Sequence, residues 1–212
     1  ILDYNQTAGT DKQIDTAYLM LDLVNEPADA PSDSGQITPA AALSVESAAI
    51  KTLEDKGFTG RYLIEGANWT GLHSWDEQES QWSSSDGTNE TTYTRENIAE
   101  KTGLTTSEVT NRVVINVHQY FDQSFSGTED TCINYDDANF HLQAFAQYLK
   151  DQQLTAMVTE FGVSKNDDTD GCNNTMQSFL NAVNDNAATW DEEGNVEGGG
   201  FIGWTVWSTG HG

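Results

Sequence analysis

Two glutamates stand where a chain could place catalytic carboxyl groups. Glu26 lies in Asn25-Glu26-Pro27 and Glu160 in Glu160-Phe161-Gly162, each directly after an apolar run. A third run ends in His118-Gln119-Tyr120. A fourth ends in Glu65-Gly66, followed by Asn68-Trp69 and His73-Ser74-Trp75, and a fifth carries Trp204 and Trp207. One polar residue at a strand exit is commonly a satisfied buried group, but five such exits together ask for a shared purpose. Cleavage of a glycosidic bond needs one protonated and one ionised carboxyl group flanking it. Indole faces cover the apolar faces of sugar rings. The chemistry these residue types suggest is glycoside hydrolysis.

The elements that must position them are strands. Residues 17–24, 61–66, 112–119, 155–162 and 200–207 are continuous apolar, β-rich runs, as strands buried on both faces are. Helical patterns fall between them at 39–57, 136–152 and 174–188, with two shorter ones in 94–111. The alternation predicts an α/β fold with a parallel sheet, and active residues in such folds lie at the carboxyl ends of strands. Residues 76–93 are polar and predict a long surface loop or lid. No linker or internal repeat divides the chain, so 1–212 is expected to be a single domain.

The charge balance narrows the partners. With 34 acidic and 9 basic residues the formal net charge is −25, spread along the whole chain. Such a field repels phosphate backbones and anionic membranes, which argues against both as partners, and leaves a neutral sugar unopposed. It suits either an acidic secreted protein or one working in high salt. No apolar run approaches the roughly 18 residues of a membrane-crossing helix. Cys132 and Cys172 both sit in polar, loop-like sequence. They are expected to form one disulfide in an oxidising, extracellular compartment. The chain opens at Ile1-Leu2-Asp3-Tyr4, as a mature form or a fragment would.

The strand-end motifs resemble glycoside hydrolase family 5, in particular its endo-β-1,4-glucanases. LDLVNEP resembles the family's strand-4 motif and YLIEGANWTGLHSW its strand-5 segment. VINVHQYFDQSFSGT, VTEFGV and WTVWSTG resemble strands 6, 7 and 8, in the family's order and over residues 17–212. The resemblance implies a retaining enzyme with Glu26 as acid/base and Glu160 as nucleophile. It places Asn25 on the sugar 2-hydroxyl, and His118 and Tyr120 beside the nucleophile, with Tyr120 donating to Glu160. Trp207 would floor the subsite at the cleaved bond and Trp69 would line another. Glu65 matches a structural position, and His73 and Trp75 are expected at the cleft rim. Trp204 is expected between sheet and helix, and His141 has no assigned role.

The resemblance has a gap. The family's (β/α)8 TIM barrel has three strands before the Asn-Glu-Pro strand, and here about 16 residues precede it. Ile1-Leu2-Asp3 is read as a remnant of the strand before it. The expected fold is therefore a truncated barrel with about five parallel strands. Its open side should be covered, and a homo-oligomer is the simplest cover. In the family, strand 2 supplies an Arg that braces the nucleophile and strand 3 a His-Asn pair. Their lack here motivates an alternative, a carbohydrate-binding or catalytically impaired barrel, and mannan or xylan are alternative substrates. The chemistry requires no cofactor or metal. Asn166 to Gly171 matches the start of a calcium loop, but Gln177 stands where its last ligand should be.

Overall fold

The structure is a computed structural model and describes residues 1–28, 37–80, 82–136, 140–163 and 171–207. Seven strands lie among them: β1 (Met20–Asp22), β2 (Arg61–Glu65), β3 (Val113–Tyr120), β4 (Thr155–Gly162), β5 (Thr189–Trp190), β6 (Val196–Gly198) and β7 (Gly200–Trp204). Five pair in parallel, in the order β1-β2-β3-β4-β7, and β5 and β6 form a separate antiparallel pair. The helices are α1 (Leu2–Thr7), α2 (Pro39–Asp55), α3 (Asn89–Thr92), α4 (Arg95–Thr102), α5 (Thr106–Arg112), α6 (Leu142–Gln152) and α7 (Gly171–Asp185). The sheet is the α/β arrangement the sequence predicts, with β1 and β7 as its edges.

Sequence chemistry sets the helix starts. Thr38 caps α2 through Ala41 N–H with Pro39 at the first turn, and Thr105 and Glu108 close a reciprocal capping box on α5. α4 ends at Gly103, whose φ of +81° is the left-handed conformation glycine adopts freely. The helices cover one face of the sheet. Tyr62, Ile64, Val113, Ile115, Val117, Ala156, Val158 and Phe201 point into that layer and pack with Ile50, Ile98, Phe145, Leu149 and Phe179. The alternate residues of the central strands, Leu63, Glu65, Val114, Asn116 and His118, occupy the other face.

Several expected boundaries shift. Ile1-Leu2-Asp3 is not a strand; Leu2–Thr7 is helical, and Asp3 pairs with Lys56 at the end of α2. Of the run 17–24, only Met20–Asp22 is strand, after a 3₁₀ turn at Thr16–Tyr18. The segment 76–93 is anchored rather than a free lid: Trp82 is buried, and Asn89 and Tyr93 fix its end in the core. Trp75 is likewise a core side chain, edge-on to Phe145, and not a rim residue. Trp204 is half exposed against the edge of Phe161 instead of lying between sheet and helix. The calcium-like sequence 166–171 falls almost wholly outside the described residues.

Cys132 and Cys172 are bonded, with Cα atoms 5.0 Å apart. The bridge ties the loop after β3 to the start of α7: the bond is the expected one, but Cys172 lies in the first turn of a helix and not in a loop. Asp122 holds the same loop from inside, accepting from the backbone N–H groups of Ser126, Gly127, Thr128 and Glu129.

Candidate active site

Glu26, His118 and Glu160 converge at the carboxyl ends of their strands. One ligand-capable atom from each lies within 4.8 Å of the other two. His118 Nδ1 is 2.8 Å from Glu26 Oε1 and 3.5 Å from Glu160 Oε2. The imidazole is 3% exposed, Glu160 12% and Glu26 29%, and of the two carboxyl groups Glu26 is the one that lines the cleft. Tyr120 Oη donates to Glu160 Oε2 at 3.0 Å. Burial, and then the Glu160 charge, push the Tyr120 phenol well above its ordinary range, so it remains a donor.

A bulge aligns these groups. Val117 pairs with Val158 but His118 pairs with Glu160, so Thr159 is an extra residue on β4. Bulges re-aim side chains in this way near functional sites. Here the extra residue puts Thr159 Oγ1 3.1 Å from His118 Nε2 while Glu160 still faces Nδ1. The Thr159 hydroxyl donates to Asn116 Oδ1, whose amide nitrogen donates to Asp22 and Glu65. With its one hydrogen committed, Thr159 can only accept from His118 Nε2–H. The neutral imidazole therefore turns a bare Nδ1 lone pair toward both carboxyl groups. Its 2.8 Å contact with Glu26 needs one proton, on Glu26 or on the ring.

Below the pair lies a second layer of carboxyl groups. Glu65 is fully buried; its Oε2 accepts the Glu26 backbone N–H at 2.5 Å and its Oε1 accepts from Asn116. Burial raises it to about 9, assisted by Asp22, Glu46 and Glu26 against the Glu26 N–H bond. Glu46, also fully buried on α2, accepts the Glu65 N–H at Oε1 and sits 3.1 Å from Tyr93 Oη at Oε2. Tyr93 gives its only hydrogen to the Glu65 carbonyl at 2.7 Å, so the Glu46–Tyr93 contact requires a protonated Glu46. Burial holds that proton up to about 8.

The cleft is a pocket of about 440 Å³ lined by Glu26, His118 and Tyr120 with Trp69, His73 and Phe125, among others. Trp69 is presented by an unusual turn: Asn68, Trp69 and Thr70 all have positive φ, at 59°, 54° and 50°. Single left-handed residues cost about 1–3 kcal/mol outside glycine, so three in series need support. Thr70 supplies it, accepting from Gly66 N–H and donating to the Asn116 carbonyl, while its own carbonyl accepts His118 N–H. Gly66 is obligatory there, because a Cβ would lie 2.5 Å from Trp75 and 2.7 Å from Asn89. His73 stacks on Phe125 with centroids 3.9 Å apart, and burial lowers it to about 4, so it is a neutral wall. Trp207 is 57% exposed and lines a neighbouring recess with Tyr120 and Gly162. Asn25 is exposed and does not line the pocket.

The sequence reading reaches Glu26, Glu160, His118, Tyr120 and Trp69, and these do meet. It sets Glu65 aside as structural and overlooks Asn116 and Thr159. Asn116 was detectable, since it precedes His118 and Tyr120 at two-residue spacing on one strand face. Thr159 was not, because strict alternation turns it away from Glu160.

A sequence model of the family described as "Cellulase (glycosyl hydrolase family 5)" matches residues 11–196. The chain belongs to glycosyl hydrolase family 5. Relatives of this family-5 chain include endoglucanase 1 of Robillarda sp. (strain Y-20), 26% identical over 92% of the chain and 40% of that protein. Endo-beta-1,4-glucanase B of Emericella nidulans is 25% identical over 70% of the chain and 38% of that protein. Among solved structures, an endo-beta-1,4-glucanase from Xanthomonas axonopodis pv. citri superposes with a TM-score of 0.66 at 26% identity, over 91% of this chain and 49% of that one. XacCel5A in complex with cellopentaose gives 0.68 at 18% identity, over 99% and 53%. The chain thus spans about half the length, or less, of the relatives it matches, and its sheet corresponds to about half of a (β/α)8 barrel.

Proposed function

We propose that this site hydrolyses β-1,4-glucan chains internally and with retention of configuration. The observation that carries the reading is the convergence of Glu26 and Glu160 oxygens within 4.8 Å around one buried imidazole. Retaining glycosidases hold their carboxyl groups about 5–5.5 Å apart, too close for a water molecule to attack from the opposite face. Glu160, braced by Tyr120, is the nucleophile that attacks the anomeric carbon. Glu26 is the acid: the proton in its contact with His118 passes to the leaving oxygen. Glu26 then takes a proton from water, which displaces the sugar from Glu160. Trp69 offers a stacking surface in the cleft, and Trp207 one beside Tyr120. Relatives named as endo-β-1,4-glucanases favour glucan over mannan or xylan.

Two further parts belong to this proposal. The disulfide suits an oxidising compartment, hence a secreted enzyme. Among the described residues strand β1 has a partner on one side only, and an apolar pocket of about 330 Å³ lined in part by Ile1, Leu2, Leu19, Leu21 and Phe58 lies beside it. That flank supports a homo-oligomer in which a second copy covers it. Light scattering across a salt series tests the assembly, and a stable, active monomer at low salt ends that part. For the chemistry, NMR of the first anomer released from a cello-oligosaccharide is decisive. The β-anomer is expected; the α-anomer would overturn retention. Glu160→Gln should abolish turnover while leaving oligosaccharide binding, and turnover equally absent from both proteins with sugar binding retained would favour a binding module instead.

A further inference from the structure

We propose that Glu26, His118 and Glu160 also form a binding site for a divalent transition-metal ion, zinc foremost, which takes the place of the shared proton and closes the cleft. The donor set is one imidazole nitrogen and two carboxylate oxygens, all within 4.8 Å of one another. A tetrahedral zinc with bonds of about 2.1 Å needs its ligand atoms roughly 3.4 Å apart. His118 Nδ1 already stands 2.8 Å from Glu26 and 3.5 Å from Glu160, so small carboxylate rotations complete the set. The fourth position faces the cleft, where water can fill it.

The outer shell favours the metal further. A ligating histidine is oriented by the hydrogen bond its other nitrogen makes, and that partner commonly changes affinity 10- to 100-fold. Here Nε2–H is engaged by Thr159, itself fixed by Asn116, which leaves Nδ1 aimed at the two carboxyl groups without any rearrangement of the ring. No Lys or Arg among the described residues lines the cleft, and the Lys and Arg ion pairs among those residues are Lys56–Asp3, Arg95–Glu96 and Arg112–Glu54. The formal charge of −25 raises the local concentration of any cation. The nitrogen ligand and small ligand number select zinc-like ions over calcium or magnesium, which require mostly oxygen. Zinc there occupies the acid and the nucleophile at once, so it excludes turnover without entering the reaction.

The proposal rests on ligand geometry and not on the hydrolytic reading, so it is tested without substrate. Zinc chloride is titrated calorimetrically into the whole chain at pH 7.5 in a non-chelating buffer. One ion per chain is expected, with at least a tenfold loss of affinity in His118→Gln and in Glu160→Gln. Thr159→Val, which leaves all three ligands, should weaken binding about tenfold or more. His141→Ala, which removes an imidazole that lies close to a different carboxylate, Asp76, should change nothing. Near-UV circular dichroism checks that each variant is folded. Cobalt(II) added to the unaltered chain gives a second readout, the visible band of a tetrahedral nitrogen and oxygen site, displaced by zinc. No binding at 1 mM zinc, binding indifferent to His118 and Glu160, or loss in His141→Ala would each overturn the proposal.

Discussion

The backbone N–H of Glu26 ends on the buried carboxyl group of Glu65, 2.5 Å away. Glu26 has a φ of +47°, a conformation a glutamate does not take unaided. Glu65 thus fixes the turn that aims Glu26 at His118 and Glu160. Glu65→Leu removes that acceptor and leaves the Glu26 N–H and one of the two Asn116 amide N–H groups without a partner. Unpaired buried donors cost about 1–3 kcal/mol. A loss of roughly 10- to 100-fold in kcat/KM on a soluble cellulose derivative is expected. Glu65→Gln should fall between, since its oxygen serves Glu26 but its amide N–H opposes that of Asn116. Wild-type rates in the Leu variant would show that Glu26 holds its pose alone.

Glu46 makes stability depend on pH. An unfolded glutamate loses its proton near 4.5, whereas Glu46 keeps it to about 8. The folded chain binds more protons across that interval, so the Glu46 contribution is full below 4.5 and is lost as pH climbs through 8. Glu46→Gln preserves an acceptor for Glu65 N–H and an N–H donor for Tyr93, and does not titrate. Between pH 6 and 9, urea unfolding of the wild type should lose about 1–3 kcal/mol more than the variant. Repeating the comparison in a Glu65→Gln background removes the titration of Glu65, which the Glu46 charge helps to raise. Parallel curves would mean that Glu46 is already ionised in the fold.

Tyr120→Phe keeps the ring and deletes the donor to Glu160. Hydrogen bonds to charged groups contribute about 1.5–3 kcal/mol, so kcat should drop roughly 10- to 100-fold with KM little changed. Steady-state kinetics on cello-oligosaccharides separates the two constants. An unaltered kcat would remove Tyr120 from the machinery.

The Cys132–Cys172 bridge closes a separation of 40 residues, for which chain entropy gives about 4 kcal/mol. The loop it secures carries Phe125 and Ser126, which line the cleft. The double Cys→Ser variant should therefore melt lower and also show a raised KM. Thermal unfolding and kinetics on one preparation test both, and a lower Tm with unchanged KM would confine the bridge to stability.

What the sequence determined alone is the order of elements and the residues that end them. Continuous apolar runs had to become buried strands, polar and aromatic residues at their ends had to gather at one rim, and capping threonines set the helix starts. Glu26, Glu160, His118 and Tyr120 were legible because each sits at a strand exit, a position fixed by local pattern. Tertiary structure decided the rest, because the deciding interactions belong to pairs of strands. The bulge that adds Thr159 exists only in the register of β4 against β3, so no reading of β4 alone could place its hydroxyl under His118. Glu65 reads as a structural position and Glu46 as an ordinary acidic residue until α2, β2 and Asn116 enclose them and burial changes their protonation. Trp75 and Trp204 exchanged their expected environments for the same reason: an indole shows no preference for core or rim until its neighbours are in place.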